Sequence, residues 1–557
     1  MVLVAVLAMG LAGLQNGYWR PIPDAGLYLM IARSLGGGEG FTVAGLPVRM
    51  VPPLWPVVLA GALAVSRSFW LLNAIPLACW IGFAYVSYRI LLRLVKPAVA
   101  LAMTLLGCLL FESYQLSALL LSDALGALLV AGAVLVAFQV SQAPRPRWRL
   151  ALLAGLCAAM VAVRWTGVVG WVLVAGALLQ GRPLRPRLDA RWAAVALSAV
   201  AAGGCFVGLR AAQYGTLSLG VRTAPLPKSA GLSAEAIGAM GVEAISIAHG
   251  NRDWHVLGRM GRTGDWLFTL ALPVVPAGGL AGASLLAWPN LAGWALAAVI
   301  AVAAASRLRR REWLWAGVGL FVLVLTGWCL PVVPRYLVIV APLLLAGLAQ
   351  GMARLGRLGP AWWGRCWSAA RWALLGAIAA VNLGLLGADV YVAQSRDFYA
   401  AYLAGEDDRL VDISAYLLSE RVGDRQVATN GLLRAAGMRA KVNLPVMRMV
   451  PALTGITLLT APAKLADQPT SPELADWARQ NGVRYYVYQP VAVKPWRVWH
   501  FRPAGLACAP RPDPLLYELT DQGLAEVAAP AVQDWPRRLP KGPANLTGPP
   551  PDHRVDP

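Results

Sequence analysis

Acid is scarce in this sequence, and its distribution is uneven. Of 557 residues only 28 are Asp or Glu, and 11 of these lie in the first 395. Charged residues of both signs make up 14%, against about 25% in a soluble globular chain. That shortage excludes one large water-soluble domain. Histidine is nearly missing, with four scattered residues, so no His-based metal cluster is evident. The seven cysteines, at 79, 108, 157, 205, 329, 366 and 508, include no C-x-x-C pair. Six fall in or beside apolar runs and read as small buried residues rather than a disulfide framework or zinc site. The chain lacks a Walker A motif, an H-E-x-x-H, and a G-x-G-x-x-G leading to an acidic strand end. Soluble nucleotides are therefore not expected as substrates.

What is present is apolar. Hydrophobic residues make up 58%, the mean hydropathy is +0.57, and runs of about 20 apolar residues, the length that crosses a bilayer as a helix, recur along the chain. The sequence predicts a polytopic α-helical membrane protein. Its net charge of +21 sits in short gaps between apolar runs: Arg89, Arg93 and Lys96; Arg145, Arg147 and Arg149; Arg182, Arg185, Arg187 and Arg191; Arg307 and Arg309 to Arg311; Arg354, Arg357, Arg365 and Arg371. This is the positive-inside pattern, not a nucleic-acid surface. Spans are expected near 2–15, 69–94, 97–112, 116–140, 149–163, 166–181, 191–211, 288–306, 312–330, 335–353 and 367–393. Residues 51–65, "VPPLWPVVLAGALAV", read as a membrane-hugging helix and 266–287 as re-entrant or interfacial. With eleven spans every basic cluster falls on the cytoplasmic side. The long loops 16–68 and 212–265 and the C-terminal part fall on the other.

The expected domains are a transmembrane domain over 1–395, a small α/β domain over 396–530 and a disordered Pro-rich tail over 531–557. In the second, "DISAYLLSERV" and "SPELADWARQNG" have helical periodicity, the latter with Ser471 as N-cap and Gly482 as stop. "DRQVATNG" and "VRYYVYQPV" read as buried strands.

An acid in a membrane protein is costly unless it works, pairs or reaches water. Asp24 follows Pro23 and either caps the helix expected over 25–35 or does chemistry. Asp123 lies about two turns into its expected span and either lines an outward cavity, caps a helix or pairs with Arg164. Glu112, ending the preceding span, either lines that cavity or marks the water interface. Arg164 and Arg335 sit at outer span ends, against the cytoplasmic bias. A guanidinium there grips a phosphate through two parallel hydrogen bonds, or snorkels to lipid headgroups.

Several stretches, in order, resemble a family. "PDAGLYLMIARSLGGGEGFT" after the first span, "PPLWPVVLAGAL", "LSDAL", "RWTG", "PRYLVIVAPLLLAG" and "LADWARQNGVRYYVY" are similar to landmarks of GT-C membrane glycosyltransferases. The nearest branch is the bacterial one of the protein O-mannosyltransferase and aminoarabinose transferase superfamily. The resemblance covers about residues 1–525. It implies a sugar donor on a polyprenyl phosphate and a first-loop Asp, here Asp24, that activates an acceptor hydroxyl. Arg335 and Arg164 would then hold the donor phosphate, Asp123 and Glu112 would line the substrate or metal site, and transfer would invert the anomeric centre. Two features depart from the pattern: Ala25 replaces the acid that follows this Asp in protein O-mannosyltransferases, and the Asp-x-Asp of oligosaccharyltransferases is missing. The resemblance leaves open a divalent cation between Asp24 and Asp123, and a glycan, lipid or protein acceptor. The expected location is the bacterial inner membrane, with the active site facing the periplasm. The rival reading is a polytopic transporter or lipid flippase.

Overall fold

The computed structural model describes residues 11–20, 23–43, 46–48, 51–142, 147–181, 190–214, 267, 270–271, 288–327, 334–394, 408–423, stretches between 426 and 488, and 515–527. Most of the expected first span, the second outer loop with its four acids, the segment 272–287 and the tail 531–557 lie outside the described residues.

The first long loop folds into helix α1 (Pro23–Gly36) and a two-stranded ribbon, β1 (Thr42–Val43) and β2 (Leu46–Pro47). Proline opens α1, where the amide it lacks has no helical partner to lose. The chain leaves α1 through Gly38 and Gly40, at φ of 82° and 79°, a backbone region glycine enters without steric cost. Helix α2 (Leu54–Val65) follows, and α1 packs on it.

The bundle continues with α3 (Phe69–Leu91), α4 (Pro97–Leu109), the five-residue α5 (Phe111–Gln115), α6 (Asp123–Gln142), α7 (Arg147–Val163), α8 (Gly167–Leu178) and α9 (Ala190–Tyr214). Then come α10 (Trp288–Arg309), α11 (Leu314–Gly327), a 3₁₀ turn (Pro334–Val340), α12 (Ala341–Leu355) and α13 (Ala361–Ala393). Among the described residues six segments are long and apolar enough to cross a membrane: Phe69–Leu91, Asp123–Gln142, Arg191–Leu209, Leu291–Arg309, Arg335–Leu355 and Ala361–Ala393. Helices also form at the other described spans, over Pro97–Leu109, Arg147–Val163, Gly167–Leu178 and Leu314–Gly327, but with 13, 17, 12 and 14 residues.

Lipid tails are as apolar as leucine, so helices in a bilayer associate through close packing at small residues. Helices α8 and α11 do this reciprocally. A Cβ on Gly176 would lie 2.8 Å from the Trp313 carbonyl, and one on Gly317 would lie 2.7 Å from the Val172 carbonyl. Gly351 similarly lets α12 meet the Val299 carbonyl of α10. Helix α13 has 33 residues, about 50 Å at 1.5 Å per residue, longer than the roughly 30 Å hydrocarbon core. Exposed Trp372 and Tyr391 lie about 28 Å apart along it, a spacing suited to the two aromatic belts.

The arginine-rich segments converge at one end. Arg307 on α10 donates to the Leu94 carbonyl beyond α3 at 3.1 Å and to Gln350 on α12 at 3.0 Å, and it pairs with Glu312 at 2.8 Å. Arg93 donates to Gln142, the last residue of α6, at 2.9 Å. The first residue of α6 is Asp123, 20 residues and so about 30 Å away.

The C-terminal part is a mixed sheet between helices. It contains α14 (Asp408–Ser419), β3 (Val427–Thr429), a small ribbon of β4 (Leu432–Leu433) and β5 (Lys441–Val442), β6 (Leu458–Thr460), α15 (Pro472–Gln480), β7 (Tyr485–Tyr488), β8 (Leu515–Thr520) and β9 (Gly523–Val527). The order is β6-β3-β7-β8-β9, parallel through β7 and antiparallel beyond. Alternation along β7 explains its unbroken burial. Tyr485 and Val487 face the core shared with α14 and the membrane bundle, while Tyr486 faces α15. Ser471 caps α15 by accepting from the Leu474 amide at 3.1 Å, and Gly482, at φ 67°, follows its end.

Among the described cysteines, Cys108 and Cys157 are buried, Cys79 and Cys205 half-buried, and Cys366 exposed. The last departs from the buried role expected of it because the start of α13 stands at the bundle surface.

Candidate active site

The end of α6 opposite the arginines carries a chain of four charges from four parts of the sequence. Arg335 Nη2 donates to Asp24 Oδ2 at 3.1 Å. Arg335 Nε lies 4.0 Å from Asp123 Oδ1. That same oxygen forms an ion pair with Arg164 Nη1. The ring of Tyr336 holds both cations, with the Arg164 guanidinium 4.8 Å and that of Arg335 5.5 Å from its centre.

Local sequence explains each placement. Pro23 starts α1, so Asp24 falls in its first turn, where a carboxylate complements the helix dipole. Asp123 does the same for α6. Arg164 is the first residue past α7, and Gly167 lets the chain fold back against the Met160 carbonyl before α8 begins. Gly126 gives Arg164 room to cross α6, since a Cβ there would lie 3.3 Å from its Cδ. Arg335 rides the 3₁₀ turn that packs on α6.

Two sequence readings are corrected. Asp123 is the first residue of α6, not a residue two turns inside a span. The chain over 116–122 is not helical although it is apolar and fully buried. Buried irregular backbone needs donors for its carbonyls, and side chains supply them. Gln15 donates to the Ser117 carbonyl at 3.4 Å, Arg20 to that of Ala118 at 3.4 Å and Trp55 to that of Leu120 at 3.3 Å. Glu112, in turn, does not mark a water interface: it is 2% exposed. It sits on α5, which packs on the 3₁₀ turn, within electrostatic reach of Arg335 and Asp123.

Two residues join the site that sequence reasoning did not single out. Tyr28, one turn after Asp24, shares a 3.1 Å hydrogen bond with Ser122. Burial, with Asp24 adding to it, pushes its phenol up to about 12, so it stays protonated. Tyr336 follows Arg335 directly. The spacing Asp24–Tyr28, one helical turn, was the available signal for the first.

Asp123, Arg164, Arg335 and Tyr336 line a narrow cleft with Thr166 and Phe321. Asp24 reaches its edge through Arg335. A divalent cation between Asp24 and Asp123 does not fit this arrangement, because Arg335 stands between them and both carboxylates are already matched by guanidinium charge. No group of three or more His, Cys, Asp or Glu converges as a metal site among the described residues.

No family model and no curated protein matches the sequence. Among solved structures the chain is similar to ArnT, an aminoarabinose transferase, from Cupriavidus metallidurans, solved bound to undecaprenyl phosphate. The TM-score is 0.50 and the identity 15%, over 88% of this chain and 92% of that one. It is also similar to the archaeal oligosaccharyltransferase AglB from Archaeoglobus fulgidus, solved with an inhibitory peptide and a dolichol-phosphate. There the TM-score is 0.45 and the identity 12%, over 88% of this chain and 69% of that one. The likeness to ArnT shows the fold: this is a multi-pass membrane protein with the GT-C fold of membrane glycosyltransferases.

Proposed function

We propose that this protein is a glycosyltransferase that moves a sugar from a polyprenyl-phosphate donor to an acceptor hydroxyl. The observation that carries the reading is the Asp24–Arg335–Asp123–Arg164 chain at the mouth of a cleft in a GT-C fold. ArnT, which has that fold, was solved with a polyprenyl phosphate bound.

The chemistry follows from the leaving group. A departing phosphate carries negative charge well, so the demanding tasks are deprotonating the acceptor and neutralising the phosphate. The Asp24 carboxylate takes the proton of the acceptor hydroxyl. The acceptor oxygen bonds to the anomeric carbon from the face opposite the phosphate, which inverts that centre. The carbon–oxygen bond to phosphate breaks with its electron pair passing to phosphate oxygen, and polyprenyl phosphate leaves against Arg335 and Arg164. Asp123 orients both guanidiniums, and Tyr28 stays a neutral hydrogen-bond donor beside them. The arginine-rich end, about 30 Å away along α6, is the cytoplasmic end by the positive-inside rule. That supports a periplasmic active site in the inner membrane.

The test is transfer of radiolabel from a polyprenyl-phosphate-linked sugar into glycan, lipid or protein of membrane vesicles from cells producing the wild type or Asp24→Asn. The reading expects transfer by the wild type alone, without a transmembrane gradient. Gradient-dependent movement of the intact lipid with no transfer would favour a transporter or flippase.

A further inference from the structure

A second buried polar cluster joins the last span to α5. Asp389 of α13 is 6% exposed, although an acid inside a span is costly unless it does something. Its Oδ2 accepts from the Tyr114 hydroxyl at 2.5 Å and from Gln115 Nε2. Asn382 lies seven residues earlier, hence on the same face of α13 about 10 Å away. Its Oδ1 accepts from the Phe111 amide at 2.6 Å, and its Nδ2 donates to the carbonyls of Ile378 at 2.8 Å and Ala271 at 3.0 Å. Helix α13 therefore grips α5 at both ends, its first residue and its last two.

Helix α5 packs on the 3₁₀ turn that carries Arg335, it bears Glu112, and it opens the irregular strip that ends at Asp123. We infer that Asp389, helped by Asn382, is a positioning residue for the anion site: by clamping α5 it sets where Arg335 and Asp123 stand. This rests on the reading above, in which Arg335 holds the lipid phosphate. The acid suits the task because its carboxyl oxygen accepts from both the Tyr114 hydroxyl and the Gln115 amide, which fixes it in one orientation. An aliphatic residue would fill the space without fixing the helix.

The experiment uses the full chain in nanodiscs, with undecaprenyl phosphate as probe, and measures Kd and melting temperature for each variant. Asp389→Ala is expected to weaken binding about tenfold, the scale of coupling between packed sites. Tyr114→Phe should shift it in the same direction and Asp389→Asn should restore part of it. In an Arg335→Lys background the Asp389→Ala effect should largely vanish, because both act on one guanidinium. A purely structural role lowers the melting temperature and leaves Kd, measured well below it, unchanged; that result overturns the inference. If Asp389→Ala does not fold, wild-type binding by Tyr114→Phe overturns it equally. If the wild type does not bind the probe, the functional reading falls and this falls with it. If the wild type binds, Arg335→Lys weakens binding and the Asp389 and Tyr114 variants do not, this inference alone fails.

Discussion

Two aspartates touch Arg335, and replacing each by asparagine should give opposite phenotypes. The Asp24 side chain is 38% exposed and the Arg335 side chain 16%. Pairs open to solvent contribute about 0–1 kcal/mol to stability, and the charge of a carboxylate in a helix's first turn, which Asn lacks, roughly 0.3–1 kcal/mol. Asp24→Asn should therefore melt within about 1–2 kcal/mol of the wild type. Its loss as a base should slow transfer roughly 10²- to 10⁴-fold, about 3–5 kcal/mol of barrier, so the functional effect exceeds the structural one. Asp123 is 6% exposed and its partner Arg164 13%. Removing one member of a buried pair leaves the other charge stranded, at about 3–5 kcal/mol. Asp123→Asn should lower the melting temperature markedly and reduce transfer as a consequence. Tryptophan-fluorescence melts in nanodiscs and radiolabel transfer in vesicles measure the two axes. The reasoning is refuted if Asp24→Asn transfers sugar at near the wild-type rate, or if it melts as low as Asp123→Asn. A pure capping role makes its own forecast, with Asn nearly normal and Ala destabilised.

Arg335→Lys should weaken binding of undecaprenyl phosphate at least about tenfold, since a point charge cannot reproduce the bidentate fork; unchanged affinity would make Arg335 a membrane-surface anchor instead. In a cysteine-free background, a cysteine at exposed Arg309 should be shielded from an impermeant maleimide in intact spheroplasts and one at exposed Ser419 labelled, and the reverse pattern would invert the topology. Gly176→Val should destabilise by about 1–3 kcal/mol, because its Cβ meets the rigid Trp313 backbone, whereas Gly319→Ala, with nothing within 4 Å, should be tolerated in the same melt. Ser471→Ala should cost about 1 kcal/mol through the lost cap on α15, read as a lower urea midpoint of the C-terminal sheet by hydrogen exchange.

The sequence exposed those features whose physical signal is local. Apolar runs located the helices, because a bilayer demands length and hydropathy of each segment by itself. Rare charges located Asp24, Asp123, Arg164 and Arg335, because burying charge without a use is costly. What stayed hidden depends on partners far along the chain. "LSALLLS" reads as the start of a span by hydropathy, and nothing local says that it is an irregular strip held by Gln15, Arg20 and Trp55. The start of α6 was therefore placed too early, and Asp123 too deep. The Asp389–Asn382 spacing of two turns was readable, but its meaning required knowing that α5 lies against it. Tyr336 could not be credited until the ring was found between two guanidiniums.

That irregular strip links the fold to the proposed chemistry. Had residues 116–122 continued as helix, Asp123 would lie inside the span, its carboxylate away from the helix start and from Arg164. Keeping the chain irregular up to Ser122 puts the acid at the N-terminus of α6, where the dipole favours it, and within reach of two arginines delivered by a 3₁₀ turn and a glycine-tight corner. The strip exposes carbonyls that no lipid can satisfy. The side chains that satisfy them come from the N-terminal segment and α2 around Asp24, while α13 holds α5 just ahead of the strip. The donors that make the irregular backbone tolerable thus tie the N-terminal segment and α2 to the strip, and the last span holds α5, which packs on the 3₁₀ turn. A substitution at Gln15, Arg20 or Trp55, none of which belongs to the charge chain, should accordingly impair transfer and stability together, in contrast to Asp24.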